Sequence, residues 1–452
     1  MTLGEAARRL GGVLSGDPDT LVTGFATDNR QVQPGEVFIA IAGAKTDGRV
    51  YAVQAVADGA SAVLAEGPLS APSIQVPNLV DALAAFGRSL REEFDHPVVG
   101  ITGSVGKTTT KEFTAGALAA LGPVLKSEGN RNTEYTSPLT WFEMKPEHRS
   151  AVIEMGMRGF GQIAHLASIC KPTIGLITQI GTSHVEKVGN RQGIFKAKGE
   201  LLEALPATGT TVIWREDDFY FDLRELSPCP VVTYGFSQEA DCRILGSRSL
   251  DWSHSVVFGT LNAESWEVEL PVLGRHQALN AAGAITAAVA AGADLTKAAA
   301  GLRSAKLPPM RLQAIPFQGG TIILDTYNAS PDSTAAALHA MGEMPATGRR
   351  LAVLGEMKEL GDYTESGHRA VGRAVAQADL DAAILVGPPT RFIAEEAIIT
   401  GFDAGRLELL EEVDLERISR WISQMAEGDV LLIKGSRALG LENALPKELI
   451  PS

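Results

Sequence analysis

The segment Val98–Thr109, VVGITGSVGKTT, constrains this chain more than any other. An apolar run suited to a buried strand enters a glycine turn, and the turn opens a helix-forming stretch from Lys107 to Leu121. Glycines let the backbone curl until consecutive N–H groups face one point, and the helix N-terminus adds partial positive charge there. That is a cradle for phosphate. Gly103, Ser104, Val105, Gly106, Lys107, Thr108 and Thr109 are the expected contacts of ATP, with Lys107 reaching the β and γ phosphates and the Thr108 hydroxyl available to Mg²⁺. The turn is a shortened form, since Ile101 stands where the longer pattern has its first glycine.

Such a cradle belongs at the carboxyl edge of a parallel sheet, and the neighbouring sequence supplies the strands. After Pro97, VVGIT, AVIEM near 151, IGLIT near 174 and TVIW near 211 are apolar runs separated by helical stretches, the pattern of a doubly wound parallel sheet. Between about Val231 and Leu273 the short runs VVTYGF, HSVVF and WEVEL predict a small antiparallel patch, closed by a helix pair at about 277–291 and 294–303. Upstream, VFIAI, a helical stretch over Val50–Asp58, SAVLAE and an amphipathic helix over Asp81–Phe94 form a smaller unit that ends at His96-Pro97. Downstream, KLPPMR (Lys306–Arg311) reads as a stiff connector, because its prolines forbid helix. A third alternation follows: TIILD, a helix opened by Pro331, LAVLG, AAILVG and DVLLIKG. The expected class is α/β with three units, bounded at 1–95, 96–309 and 310–452, and 452 residues give each enough chain for its own core.

Charge narrows the function. A formal net charge of −14, with no dense basic block, opposes nucleic-acid binding, so an anionic ligand must be held by a local group of N–H donors and cations. The 3 cysteines show neither zinc-knuckle nor disulfide spacing, which favours a reducing compartment. MTLGEAARRL lacks the apolar core of a signal peptide, and the Ala- and Gly-rich stretch Ala278–Ala293 reads as a buried helix. A cytoplasmic protein without membrane insertion is expected.

Two further residues share the edge of the cradle. Glu154 ends the strand AVIEM and His184 follows IGLITQIGTSH, so both belong at carboxyl ends of strands. A carboxylate suits Mg²⁺; a histidine is a less usual ligand for a hard cation and could instead meet water or phosphate. Lys198, in FKAKGELLEAL, is by composition one lysine on a charged helix.

The strings ITGSVGKTTTKE, GNRNTEYTSPLT, EMGMRGFGQI, GTSHVEKVGNRQGIFKAKGE, GRHQALNAAGA, MRLQ, DTYNASPDS, LGEMKELGDYTESGH and LLIKGSRA, in this order, strongly resemble the Mur ligases of bacterial peptidoglycan synthesis. ATDNRQVQPGEVFIAIAGAKTDGRVY (Ala26–Tyr51) is similar to the family's uridine-nucleotide segment, so the likeness spans nearly the whole chain. GSVGKTTTKE, DTYNASP and LGEMKELG point within the family to the branch that joins D-alanyl-D-alanine to UDP-N-acetylmuramoyl-tripeptide. The resemblance implies attack of the tripeptide's terminal carboxylate on the γ-phosphate of ATP, an acyl phosphate, and displacement of phosphate by the dipeptide amine.

The resemblance also implies roles residue by residue. Lys107, Glu154, His184 and Lys198 become catalytic, and Lys198 becomes a lysine carbamylated by CO₂ that joins Thr108, Glu154 and His184 around Mg²⁺. Asn280 resembles the adenine contact, and Arg311 and Asp325, placed on the connector and on the first strand of the third unit, those of phosphate and ribose. Thr27, Asp28 and Arg30 resemble the uridine-nucleotide contacts; Asn132 is assigned to the muramoyl-peptide and Asn328 to the dipeptide. The three units become nucleotide-sugar grip, ATP domain and amine-side lid, closing over ATP in a chain expected to be monomeric.

Three segments depart from the family pattern. Met157, Arg158 and Gly159 replace a small residue and Asn-His; Ser330 replaces an Asn before Pro331; Glu134, Tyr135 and Thr136 stand where a second Asn and Gly are usual. The alternatives are a sister ligase adding the third residue, a folylpolyglutamate-synthetase-like enzyme, or a non-catalytic ATP-binding descendant. The first would carry a D-N-P-R segment in the third unit, which is absent from the sequence. A scaffold has no need of Lys107, Glu154, His184 and Lys198 together.

Overall fold

The computed structural model describes residues 1–43, 46–344 and 346–450. Its strands form three sheets of five, nine and six strands. In the first, the strands run in the spatial order 13–15, 73–76, 62–66, 36–39, 24–26, parallel except for the first. The short strands at 13–15, 24–26 and 73–76 are too brief to show a period in sequence.

The nine-stranded sheet places Val98–Thr102 between Ser150–Glu154 and Ile174–Ile177, all parallel. All five residues of Val98–Thr102 are buried, as a central strand covered on both faces requires. The antiparallel patch is not a separate layer. Val231–Gly235 and the start of Cys242–Ser249 continue the parallel sheet, and only the reversed strand Ser255–Leu261 makes antiparallel pairs at its edge, with Cys242–Ser249 and with Glu264–Leu270. Val231–Gly235 follows the short helix Tyr220–Leu226, which provides the crossover that a parallel neighbour needs.

In the third sheet, Gln313–Phe317 pairs antiparallel with Gly320–Asp325, and the remaining strands are parallel. Asp325 therefore ends the second strand of this unit, not the first. The alternation in QAIPF is interrupted by proline, which is tolerated on an edge strand.

The first unit closes a small core of its own around Phe38, Ala55 and Val63 on one face of its sheet, and shares the other face with the central unit. One apolar cluster runs from Leu3, Leu64 and Phe86 through Leu139 and Trp141 to Ile169 and Leu201 in the central unit. Phe25, Phe86 and Phe142 pack at centroid distances of 5.2, 5.2 and 6.4 Å, each pair adding roughly 0.5–1.5 kcal/mol beyond its burial. Helix Leu79–Arg91 is tied across the boundary as well: Arg91 donates to the Cys170 carbonyl at 2.6 Å. Among the described residues, no helix is long and apolar enough to cross a membrane.

Candidate functional site

The site is built where Val98–Thr102 gives way to helix Lys107–Leu118. Gly103 has φ +152° and Gly106 φ +85°, and both positions are closed to larger residues. A Cβ at Gly103 would collide with Thr178 Oγ1, and one at Gly106 would lie 2.5 Å from Asn280 Oδ1. The turn is pinned from the neighbouring strand: Ser104 N–H donates to the Gln179 carbonyl at 2.9 Å and Thr178 Oγ1 to the Val105 carbonyl at 2.6 Å.

Two lysines converge on one acceptor. Lys107 Nζ donates to the Gly103 carbonyl at 2.6 Å, and Lys198 Nζ to the same oxygen at 3.0 Å. Lys198 is fully buried on helix Arg191–Glu203, behind the cradle and not on a solvated face. Burial first, and the Lys107 charge second, hold its amine well below the ordinary lysine value. Burial likewise lowers Lys107, with Glu154 opposing and Arg311 reinforcing the shift.

Glu154 is buried at the adjoining strand end. Its Oε1 accepts from Asn132 Nδ2 at 2.8 Å, whereas Oε2 is buried without a hydrogen-bond partner. Asn132 is thereby drawn to the carboxylate of the cradle. Its loop is fixed by Lys111, fully buried one turn beyond Lys107, which donates to the Ser127 carbonyl at 2.6 Å.

Ser104 to Thr109, Asn132, Glu154, His184, Asn280, Arg311, Asp325 and Asn328 line one cleft between the central and third units, of about 240 Å³. Asn280 is fixed by Thr110 Oγ1 at 3.2 Å and by its own donation to Gln277 Oε1 at 2.9 Å. Arg311 lies 4.1 Å above the Tyr327 ring. The connector bends there through Met310 and Leu312, at φ +59° and +49°. Asp325 Oδ2 accepts from the buried Lys434 at 2.6 Å, and Lys434 also donates to the Asn328 carbonyl at 3.0 Å. The turn Asn328–Ser330 enters helix Pro331–Gly342 through a reciprocal Ser330–Ser333 capping box, with Pro331 in the first turn.

Gly103 and Lys198 lie behind the cleft lining, and three further assigned residues are not gathered here at all. Thr27, Asp28 and Arg30 lie on the first unit, where Arg30 is exposed and forks onto Asp28 at 2.9 and 2.7 Å. That pairing holds the Asp28 carboxyl below its usual range. The cleft also contains residues the sequence reading did not single out: His276, Gln277, Tyr327, Asp332 and Lys434. The spacing of His276 and Asn280, one turn apart on one helix, was the available signal. Burial pushes His276 down to about 4, against the pull of Asp325.

Two of the departing segments form a single structural change. Gln162 Oε1 accepts from the Arg158 and Gly159 N–H groups at 2.5 and 3.1 Å, while its Nε2 donates to Glu134 Oε1 at 3.2 Å. Residues that differ from the family pattern in two loops are joined by one glutamine.

A glycine phosphate cradle with two lysines behind it, facing a third α/β unit across a bent connector, defines an ATP-using enzyme of the P-loop class. Comparison with known proteins makes this specific. The Mur ligase middle domain matches residues 101–288, the glutamate ligase domain of Mur ligases residues 310–437, and the Mur ligase family catalytic domain residues 21–88. A UDP-N-acetylmuramoyl-tripeptide–D-alanyl-D-alanine ligase of Bacillus subtilis is 33% identical over 441 residues, covering 96% of this chain and 94% of the relative. A crystal structure of MurF from Acinetobacter baumannii superposes with a TM-score of 0.87 at 28% identity, over 98% of this chain and 97% of that one. MurF from Thermotoga maritima, solved in complex with ADP, gives 0.79 at 28% identity over 94% and 97%. The chain belongs to the Mur ligase family, whose members are ATP-dependent ligases.

Proposed function

We propose that this enzyme joins D-alanyl-D-alanine to UDP-N-acetylmuramoyl-tripeptide with cleavage of ATP to ADP and phosphate, completing the pentapeptide precursor of peptidoglycan in the cytoplasm. The observation that carries this reading is the convergence of Lys107 and Lys198 on the Gly103 carbonyl beside the unpartnered Glu154 oxygen, in a chain alike to ligases of this specificity end to end. A carboxylate is a poor electrophile. Phosphorylation gives it a leaving group, and cations aimed at the transferring phosphoryl group offset the charge that collects there. Lys107, from the cradle, and Arg311, from the connector, both line the cleft.

The donor set fits a hard cation. Thr108 and Glu154 offer oxygen, and Glu154 Oε2 is buried with no competing partner. Thr108, Glu154, His184 and, as its carbamate, Lys198 would hold Mg²⁺. Bound there, Mg²⁺ supplies neutralisation of phosphate charge. Among the described residues no three His, Cys, Asp or Glu side chains are grouped as a metal site by themselves, so phosphate oxygens and water would be needed to complete the shell, as Mg²⁺ prefers. Carbamylation needs a neutral amine, and the burial that lowers Lys198 favours that form.

In this reading residues 1–95 grip the nucleotide sugar, 96–309 hold ATP, and 310–452 bring the dipeptide amine, in a monomer. The substrate diphosphate takes over the Arg30 guanidinium from Asp28. Asn280 meets adenine, Asp325 the ribose, Asn132 the muramoyl-peptide and Asn328 the dipeptide.

Phosphate release and product mass, with each substrate omitted in turn, test the assignment. Phosphate release is expected to require ATP, the UDP-muramoyl-tripeptide and the dipeptide together, at one phosphate per amide bond. Steady release without the dipeptide, with no amide product, would refute it.

A further inference from the structure

The loop that carries His184 is held from the other side of the cleft. In the third unit, Asp332 opens helix Pro331–Gly342, and its Oδ2 accepts from both the Thr182 N–H and Thr182 Oγ1 at 3.3 Å. Gly181 faces the same carboxylate so closely that a Cβ there would overlap it. Beyond it, Glu359 Oε2 lies 2.6 Å from His184 Nδ1, in a contact not aligned as a hydrogen bond. Gly361 comes so near the following turn that a Cβ would sit 3.1 Å from Glu186 Cγ.

Both residues of the His184–Glu359 contact are strained. His184 has φ +64° and Glu359 φ +63°, a region that non-glycine residues seldom occupy. Such strain persists only where surrounding structure fixes it. Glu359 is fixed on both sides: Met357 and Leu360 are buried in the core of the third unit, the Met357 N–H donates to His368 Nε2 at 3.2 Å, and the Lys358 N–H to Ser436 Oγ at 3.1 Å. His368 is itself held by the Thr364 carbonyl at 2.7 Å. The result is a rigid finger whose tip, Lys358-Glu359, projects towards the central unit.

We propose that Glu359 is a positioning residue for His184. The inference rests on the role of His184 given under Proposed function and adds that its imidazole is oriented from the third unit, with Asp332 as a second clamp on the same loop. The nucleotide site is then complete only when the third unit has docked, which couples presentation of the dipeptide to assembly of the phosphate site.

A double-mutant cycle on the full-length enzyme tests this, with kcat and the dipeptide KM read separately and thermal melting as the fold control. Glu359→Gln is expected to lower kcat about tenfold to a hundredfold with the dipeptide KM within about twofold, as removal of a side chain that orients a ligating imidazole does. In the His184→Ala background the same change is expected to cost less than about twofold, and Glu359→Asp to recover part of the loss in the native background. Independent, multiplying losses in the double variant, a dipeptide KM raised with kcat intact, or an unchanged kcat in Glu359→Gln would overturn the inference. Full activity of His184→Ala alone would refute instead the role of His184 on which it rests.

Discussion

Lys198→Ala lowers turnover about 100-fold to 1,000-fold, and millimolar formate or acetate restores part of it. The expectation follows from the place of this amine. It is buried, shares the Gly103 carbonyl with Lys107, and is held well below the ordinary lysine value by desolvation and by that neighbour. An amine so placed is poor as a cation and good as a nucleophile towards CO₂. Converted to a carbamate, it sets a negative charge beside Lys107, and a small carboxylate can occupy the space left by alanine. The magnitude is that of removing one preorganised electrostatic group from a phosphoryl-transfer site. Steady-state rates across a carboxylate series check it. A fully active Lys198→Ala variant, or one that no short carboxylate rescues, contradicts the carbamate.

Lys107→Met removes about 1,000-fold or more of the activity while leaving the fold intact or firmer. Lys107 is the side chain of the cradle that can leave its Gly103 carbonyl for a phosphate, and charge neutralisation is most of what a protein contributes to this chemistry. The stability effect has the opposite sign. Depressed values for Lys107 and Lys198 mean that folding disfavours their protonated forms. That penalty is absent above the unfolded lysine value and grows as pH falls through it towards the depressed values, so it is present at neutral pH. In protein kept free of CO₂, where Lys198 is an unmodified amine, removing the Lys107 charge relieves Lys198. Melting temperature at pH 7 is expected to be unchanged or higher in Lys107→Met, alongside the lost turnover; a variant that melts earlier and keeps its activity contradicts both parts.

The cradle was legible in sequence because its chemistry is local: glycine, lysine and threonine at fixed spacing between a strand and a helix. Glu154 and His184 could be placed because a parallel sheet brings the carboxyl ends of its strands to one edge. Lys198 could not be read from composition. Its helix looks charged in sequence, and only the packing behind Gly103 buries it; the family resemblance supplied what periodicity lacked. Asp325 was assigned to the wrong strand because the edge strand Gln313–Phe317 contains a proline and gives little periodic signal. The Val231 run was separated from its sheet because strand direction is set by a crossover helix too short to stand out. Glu359 and Asp332 escaped notice for a different reason. Their importance lies in contacts across the cleft with a loop about 150 residues away or more, and nothing in local spacing encodes such a contact.

The uneven distribution of charge gains meaning in this setting. A chain of net charge −14 must bind ATP and a nucleotide-sugar peptide, both anionic. In the proposed site it does so with Lys107 and Arg311, which line the cleft beside one turn of backbone N–H groups, while Arg30 stands apart on the first unit, paired with Asp28. The shared core of the first and central units makes that pair one platform, and the connector to the third unit bends at Met310 and Leu312.

The central claim is that the tripeptide carboxylate becomes an acyl phosphate before the amine attacks, and its own oxygen reports it. In that sequence a carboxylate oxygen bonds to the γ-phosphorus as ADP leaves. The dipeptide amine then bonds to the carbonyl carbon, losing a proton, as phosphate departs with that oxygen. With UDP-muramoyl-tripeptide carrying a heavy oxygen isotope in both positions of its terminal carboxylate, mass spectrometry of the products is expected to find one labelled oxygen in inorganic phosphate and one in the new amide for every turnover. Unlabelled phosphate formed together with the amide would contradict the account.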